Sequence, residues 1–180
     1  MNFARRLLKW MGWGVEVSVP DLPKAIICVA PHTSNWDFLI GELAIRAVGR
    51  KAGFMMKSSW FFFPLGCLFK ALGGIPVKRR NKQQSLVDVM VQRFNAEQRL
   101  VVAITPEGTR SRTAAWHTGF LRIAREANVP IMLAVIDYRM KKAIINDMFI
   151  PTGDTEADMR VIKQYYTPFT GRHPENFTTE

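Results

Sequence analysis

The chain is expected to fold as one α/β domain, a mixed and mostly parallel sheet flanked by helices. Three observations carry that expectation. Short continuous apolar runs such as "KAIICVA" and "RLVVAI" are those of strands buried on both faces. Between them lie stretches with apolar residues at helical spacing. The length, 180 residues, suits one core and is short for two.

The elements follow in order. In "MNFARRLLKWMGW", residues 1–13, a helical wheel puts Phe3, Ala4, Leu7, Leu8, Trp10 and Met11 on one arc and Arg5, Arg6 and Lys9 on the other, an amphipathic basic helix. It can dock on the domain's own core or lie in a membrane interface. The two tryptophans and the basic arc favour the membrane. No small-residue cleavage site follows, so it does not read as a signal peptide.

From residue 14 to 169 runs the α/β unit. Gly14–Pro20 alternates like a half-buried strand, and "KAIICVA" is a buried strand ending at Pro31. Trp36–Val48 is helical, with Glu42 and Arg46 at the favourable i,i+4 spacing and Gly49 placed to end it. "AGFMMK" is a strand. The aromatic stretch after it forms a short helix broken around "PLG", and "GGIPV" returns to extended structure. Val87, Met90, Val91 and Phe94 mark a helix over residues 83–97, and "RLVVAI" is the next strand. A helix over Ala114–Ala127 precedes "VPIMLAVIDY", with "KKAIINDMFI" as its antiparallel neighbour. Residues 170–180 are polar and expected to fray.

The balance of 48% hydrophobic and 22% charged residues argues against long disorder. Lysine and arginine number 25 against 15 acids, a formal charge of +10, so the partners should be anionic. Nucleic acid, an anionic membrane surface, an acidic carrier protein and a phosphorylated small molecule all satisfy that. The basic residues do not form a helical stripe interleaved with aromatics, which leaves nucleic acid least supported. Cys28 and Cys67 sit in apolar sequence and read as buried thiols, forming neither a disulfide framework nor a zinc site. The run Trp60–Phe69 is about half of the ~20 residues a membrane span requires and contains Pro64 and Gly66.

Familiar nucleotide, metal and serine-nucleophile signatures are absent: there is no Walker A loop, no G-x-G-x-x-G, no G-x-S-x-G and no paired histidines. "PHTSNWDF", residues 31–38, instead places His32 five positions before Asp37 at a helix start. Thr33, Ser34 and Asn35 are residues that cap helices, and an acid in the first turn suits the dipole, so the stretch serves as an ordinary helix start. The same geometry, with Asn35 as N-cap, lets the imidazole fold back over the carboxylate. A histidine oriented in this way is a general base. No protein nucleophile is placed beside it, which leaves a hydroxyl or amine of the substrate to attack. "GGIPVKRRNK" crowds basic residues, Lys78 and Arg79 among them, beyond a short strand. "TPEGTRSR" puts Glu107, Gly108, Thr109 and Arg110 in a tight turn after a buried strand. Both are solvated turns or parts of an anion cradle. His117 and His173 are isolated and read as exposed or simply hydrogen-bonded.

In order and spacing, "HTSNWD", "GGIPVKR", "PEGTRS" and "VPIMLAV" resemble the four motifs of the glycerolipid acyltransferase family, the lysophosphatidic acid acyltransferase group, across residues 31 to about 136. The resemblance implies a glycerol-phosphate acyltransferase-like fold for residues 14–169. It also implies a role in phospholipid biosynthesis, the transfer of a fatty acyl group from a thioester donor to a glycerolipid hydroxyl. His32 and Asp37 would be catalytic, and Arg79, Glu107, Gly108, Thr109 and Arg110 would hold a lysophospholipid or glycerophosphate-type acceptor. No metal or other cofactor is implied beyond the co-substrate, acyl-CoA or acyl carrier protein, and both are anionic. The expected location is cytoplasmic, peripheral on the inner face of the membrane. Two departures stand out: the chain is shorter than the membrane-spanning members, and Ser58 follows Lys57 where many relatives carry an acid. The alternative is a non-catalytic lipid- or membrane-binding module of the same fold.

Overall fold

A computed structural model of the chain describes residues 2–77 and 85–180. In chain order its elements are α1 (Phe3–Trp10), β1 (Gly14–Val17), β2 (Lys24–Val29), α2 (Trp36–Ala47), β3 (Gly53–Lys57), α3 (Leu65–Ala71), β4 (Gly74–Val77), α4 (Leu86–Ala96), β5 (Leu100–Ile104), α5 (Gly119–Glu126), β6 (Ile131–Asp137), β7 (Lys142–Phe149) and α6 (Thr155–Tyr166). Among the described residues the strands form one seven-stranded sheet in the order β1-β7-β6-β2-β5-β3-β4. Strands β2 to β6 run one way. β7 turns back against β6 as the sequence led us to expect, and β1 lies parallel to β7. The sheet is therefore mixed and mostly parallel, in a single α/β unit.

The alternation of side chains along each strand divides the core in two. Ile26, Cys28, Val102, Ile131, Leu133 and Val135 point to the face covered by α4, α5 and α6, where Met90, Phe94, Phe120, Ile123, Ile162 and Tyr166 meet them. The Tyr166 hydroxyl satisfies itself there by donating to the Cys28 carbonyl at 2.6 Å, which pins α6 to β2. On the opposite face, Ile136 and Ala143 pack with Ile40, Leu43, Ala44 and Ala47 of α2 and with Ala4 and Leu8 of α1.

Several expectations are corrected. The first strand stops at Val17 rather than Pro20. The helix expected over 114–127 begins only at Gly119, because His117 donates its backbone N–H to the Pro106 carbonyl at 2.7 Å and ties this segment to the turn after β5. α4 begins at Leu86, capped by a reciprocal pair of bonds between Ser85 and Asp88; the expected start at residue 83 lies outside the described residues. α6 was not read from the sequence. Cys28 is buried and its thiol is pushed up to about 12 by desolvation, but Cys67 is exposed, since α3 turns that side away from the sheet.

The tail does not fray. The Thr170 carbonyl accepts the Tyr138 N–H at 2.9 Å, and the His173 N–H donates to Thr33 Oγ1 at 3.1 Å. Gly171 between them is buried so closely that a Cβ would stand 2.7 Å from Thr33 Oγ1. The N-terminal helix divides its apolar arc. Ala4 and Leu8 are buried, whereas Phe3 and Trp10 are 78% and 83% exposed. No helix among the described residues is long and apolar enough to cross a membrane.

Candidate active site

Three neighbouring strands, β5, β2 and β6, end at the same edge of the sheet, the edge where α/β folds gather binding residues. Just beyond their C-terminal ends come Glu107, His32 and Tyr138 respectively.

After β2 the chain runs through the "HTSNWD" loop into α2. Asn35 occupies the N-cap position but makes no side-chain cap bond. Ser34 takes the first helical N–H, its Oγ accepting from Trp36 at 3.2 Å, while Asp37, in the first turn, reaches back: its Oδ2 accepts the N–H groups of Thr33 and Ser34 in the loop, both at 2.8 Å. The same oxygen stands 3.2 Å from His32 Nδ1. Asp37 is 2% exposed and His32 is half-buried. Helix start and histidine partner are thus one carboxylate, because an acid in the first turn can turn back over the loop that leads into it. At that distance a proton on Nδ1 is drawn toward the carboxylate, the tautomer that leaves Nε2 as the acceptor.

Glu107 is buried as well, and its Oε1 accepts the His32 backbone N–H at 2.7 Å. Desolvation pushes its carboxyl up to about 8, the His32 N–H pulling the other way and the charge of Asp37 adding to the rise. The turn that carries it needs Gly108, at φ +64, where a Cβ would stand 2.5 Å from the His117 ring. Thr109 and Arg110 follow in solvent, and the Arg110 guanidinium donates across the gap to the Asn35 side chain.

Between the two loops lies a cavity of about 260 Å³ lined by His32, Thr105, Gly108, Thr109, Arg110 and Ser111. Of the expected site residues, His32, Gly108, Thr109 and Arg110 meet there. Asp37 and Glu107 stand behind His32, and Arg79, like Lys78, lies outside the described residues. Sequence reasoning missed Tyr138, whose hydroxyl donates to Asp37 Oδ1 at 2.7 Å. It also missed Thr33, whose hydroxyl accepts from the tail. Among the described residues no group of histidine, cysteine and acidic side chains could hold a metal. His117 and His173 are exposed.

The arrangement offers a histidine with one nitrogen beside a buried carboxylate, in the wall of a polar cavity edged by Arg110, the equipment for taking a proton from a hydroxyl. A search of the curated proteins finds no match. In fold the chain is similar to the 1-acyl-sn-glycerophosphate (LPA) acyltransferase PlsC from Thermotoga maritima, with a TM-score of 0.61 at 17% sequence identity over 92% of this chain and 76% of that one. The family model described as Acyltransferase matches residues 15–137, a span that holds both loops and all three strand ends, and the chain belongs to that acyltransferase family.

Proposed function

We propose that the chain moves a fatty acyl group from an acyl thioester, acyl-CoA or acyl carrier protein, to a hydroxyl of a lysophospholipid or glycerophosphate-type acceptor at the membrane surface. The observation that carries this reading is the contact of His32 Nδ1 with buried Asp37 Oδ2 at 3.2 Å, beside a cavity edged by Arg110. His32 Nε2 takes the hydroxyl proton as the oxygen bonds to the thioester carbonyl carbon. The C–S bond then breaks, and the thiolate leaves with the proton returned from the imidazolium. Asp37 holds the tautomer and offsets the imidazolium charge. A thiol has an ordinary pKa of about 8.5, so its thiolate is a good leaving group and the step calls on no metal or further cofactor.

Arg110, with Gly108 and Thr109 beside it, is suited to a phosphate-bearing acceptor by charge-assisted hydrogen bonds. Arg79 takes the same role by its place in the second motif. Phe3 and Trp10, exposed beside Arg6 and Lys9, suit reversible attachment to an anionic surface, which supports the reading of a peripheral enzyme on the inner face.

Purified protein incubated with labelled acyl-CoA or acyl carrier protein and a panel of lysolipids is expected to give one new acylated lipid. Thioester hydrolysis alone, or no product with any pair, defeats the reading in favour of a binding module.

A further inference from the structure

The His32–Asp37 pair is held by a residue outside the motifs that carry it. Tyr138 is the first residue after β6, and its hydroxyl reaches Asp37 Oδ1 at 2.7 Å across 101 positions of sequence. Asp37 Oδ2 is occupied by two backbone N–H groups and faces His32. Without Tyr138 the second oxygen would lose the hydroxyl that fixes the plane of the carboxylate.

Tyr138 is itself fixed on three sides. Its backbone continues β6, its N–H is held by the Thr170 carbonyl at 2.9 Å, and its ring meets Trp13 edge-on at 5.0 Å and 87°. Trp13 is buried in the same core as α1 and α2. Burial and the hydrogen bond to Asp37 both push the phenol above its ordinary value, Arg172 pulling weakly the other way, so it remains a donor throughout the neutral range.

We propose that Tyr138 is a positioning residue for acyl transfer. It orients Asp37, and through Asp37 the imidazole of His32, and it touches no reacting atom. The proposal rests on the acyltransferase reading and adds a residue to it.

Tyr138→Phe tests it, since the ring can stay against Trp13 while only the hydroxyl is lost. With a donor and acceptor pair that the wild-type protein turns over, kcat is expected to fall about tenfold while both KM values stay where they are and the thermal midpoint drops by only a few degrees, the cost of one hydrogen bond in a domain of this size. In an Asp37→Asn background the same change is expected to cost nothing further. Unchanged kcat in the single variant overturns the proposal, as does the full loss repeated in the Asp37→Asn background. A second readout needs no turnover: the NMR resonance of the His32 Nδ1 proton is expected to move in Tyr138→Phe, and an unmoved resonance also overturns it. If the resonance moves but the wild-type protein acylates no acceptor, the positioning contact stands and the acyltransferase reading fails.

Discussion

The loop after β2 and the loop after β5 leave the sheet side by side, yet they are built in opposite ways. In the first, Thr33 and Asp37 are buried, and three N–H groups between His32 and Ser34 are taken by the side-chain oxygens of Glu107 and Asp37. In the second, Pro106 and Glu107 turn inward at its start and Trp116 near its end, while the four residues from Gly108 to Ser111 are exposed. A proton-transfer group loses rate steeply when its orientation wanders, so it belongs on an over-determined frame. A site that receives an anionic headgroup must admit it from water, so its cations stand in the open. Glu107 joins the two: one loop supplies it and the other uses it.

If that division holds, changes in the first loop should appear in turnover. His32→Ala is expected to lower kcat by about 10²–10⁴, the contribution of a positioned general base. Asp37→Asn should cost comparably by releasing the wrong tautomer. The Asp37 carboxylate also holds the Thr33 and Ser34 N–H groups and the Tyr138 hydroxyl, bonds worth about 1.5–3 kcal/mol each, so Asp37→Asn is expected to lower the melting temperature as well. Melting curves measured beside steady-state rates separate these causes. Near-normal turnover in a folded His32→Ala protein would return the stretch to a capped helix with a bystander histidine.

Changes in the open loop should appear in substrate affinity. Arg110→Ala is expected to raise the acceptor KM by about 10- to 100-fold, the worth of a charge-assisted contact, with kcat and the donor KM little altered. Among the described residues the Arg110 guanidinium donates to the exposed Asn35 side chain, a contact that an arriving phosphate can replace. A change confined to the donor KM would reassign the cavity to the thioester.

The same contrast explains what could be read from the sequence. His32 and Asp37 were legible because they lie within one loop, where capping chemistry and catalytic spacing coincide. Arg110 and Gly108 were legible because a polar turn after an apolar run is a local signal. Tyr138 was not, since its contact with Asp37 exists only once β6 is laid beside β2. The tail is mostly polar, and its docking depends on a glycine fitting against Thr33 and on one aromatic, Phe177, meeting Trp116. α6 did carry a signal: Asp154 caps it, and Met159, Ile162 and Tyr166 recur at helical spacing. Its charged residues diluted that pattern. The N-terminal helix was half legible, since its apolar arc was plain but the division between Ala4 and Leu8 inside and Phe3 and Trp10 outside follows from the surface of α2.

That division gives a smaller effect. Replacing Phe3 and Trp10 together by alanine should weaken co-sedimentation with anionic vesicles about tenfold, through lost interfacial burial, and leave the melting temperature unchanged because neither side chain is in the core. Binding equal to wild type would show that α1 serves only as a brace for α2.

The last effect is read in stability rather than in turnover or binding and concerns Glu107, the residue shared by the two loops. Its carboxyl lies near 8 in the folded chain against an ordinary 4.5. Below pH 4.5 both folded and unfolded forms carry the proton and the group is neutral to stability. As the pH rises from about 4.5 to about 8, the unfolded chain gives up the proton while the folded chain retains it, so the folded state loses ground by at most about 1.4 kcal/mol per pH unit. Above 8 the penalty is constant. Glu107→Gln retains an oxygen that can accept the His32 N–H and cannot ionise, so its denaturant-unfolding free energy should exceed wild type at pH 8 and approach it toward pH 5. Parallel curves for the two proteins across that window would show that Glu107 folds already ionised, with the burial of its carboxylate offset by its neighbours.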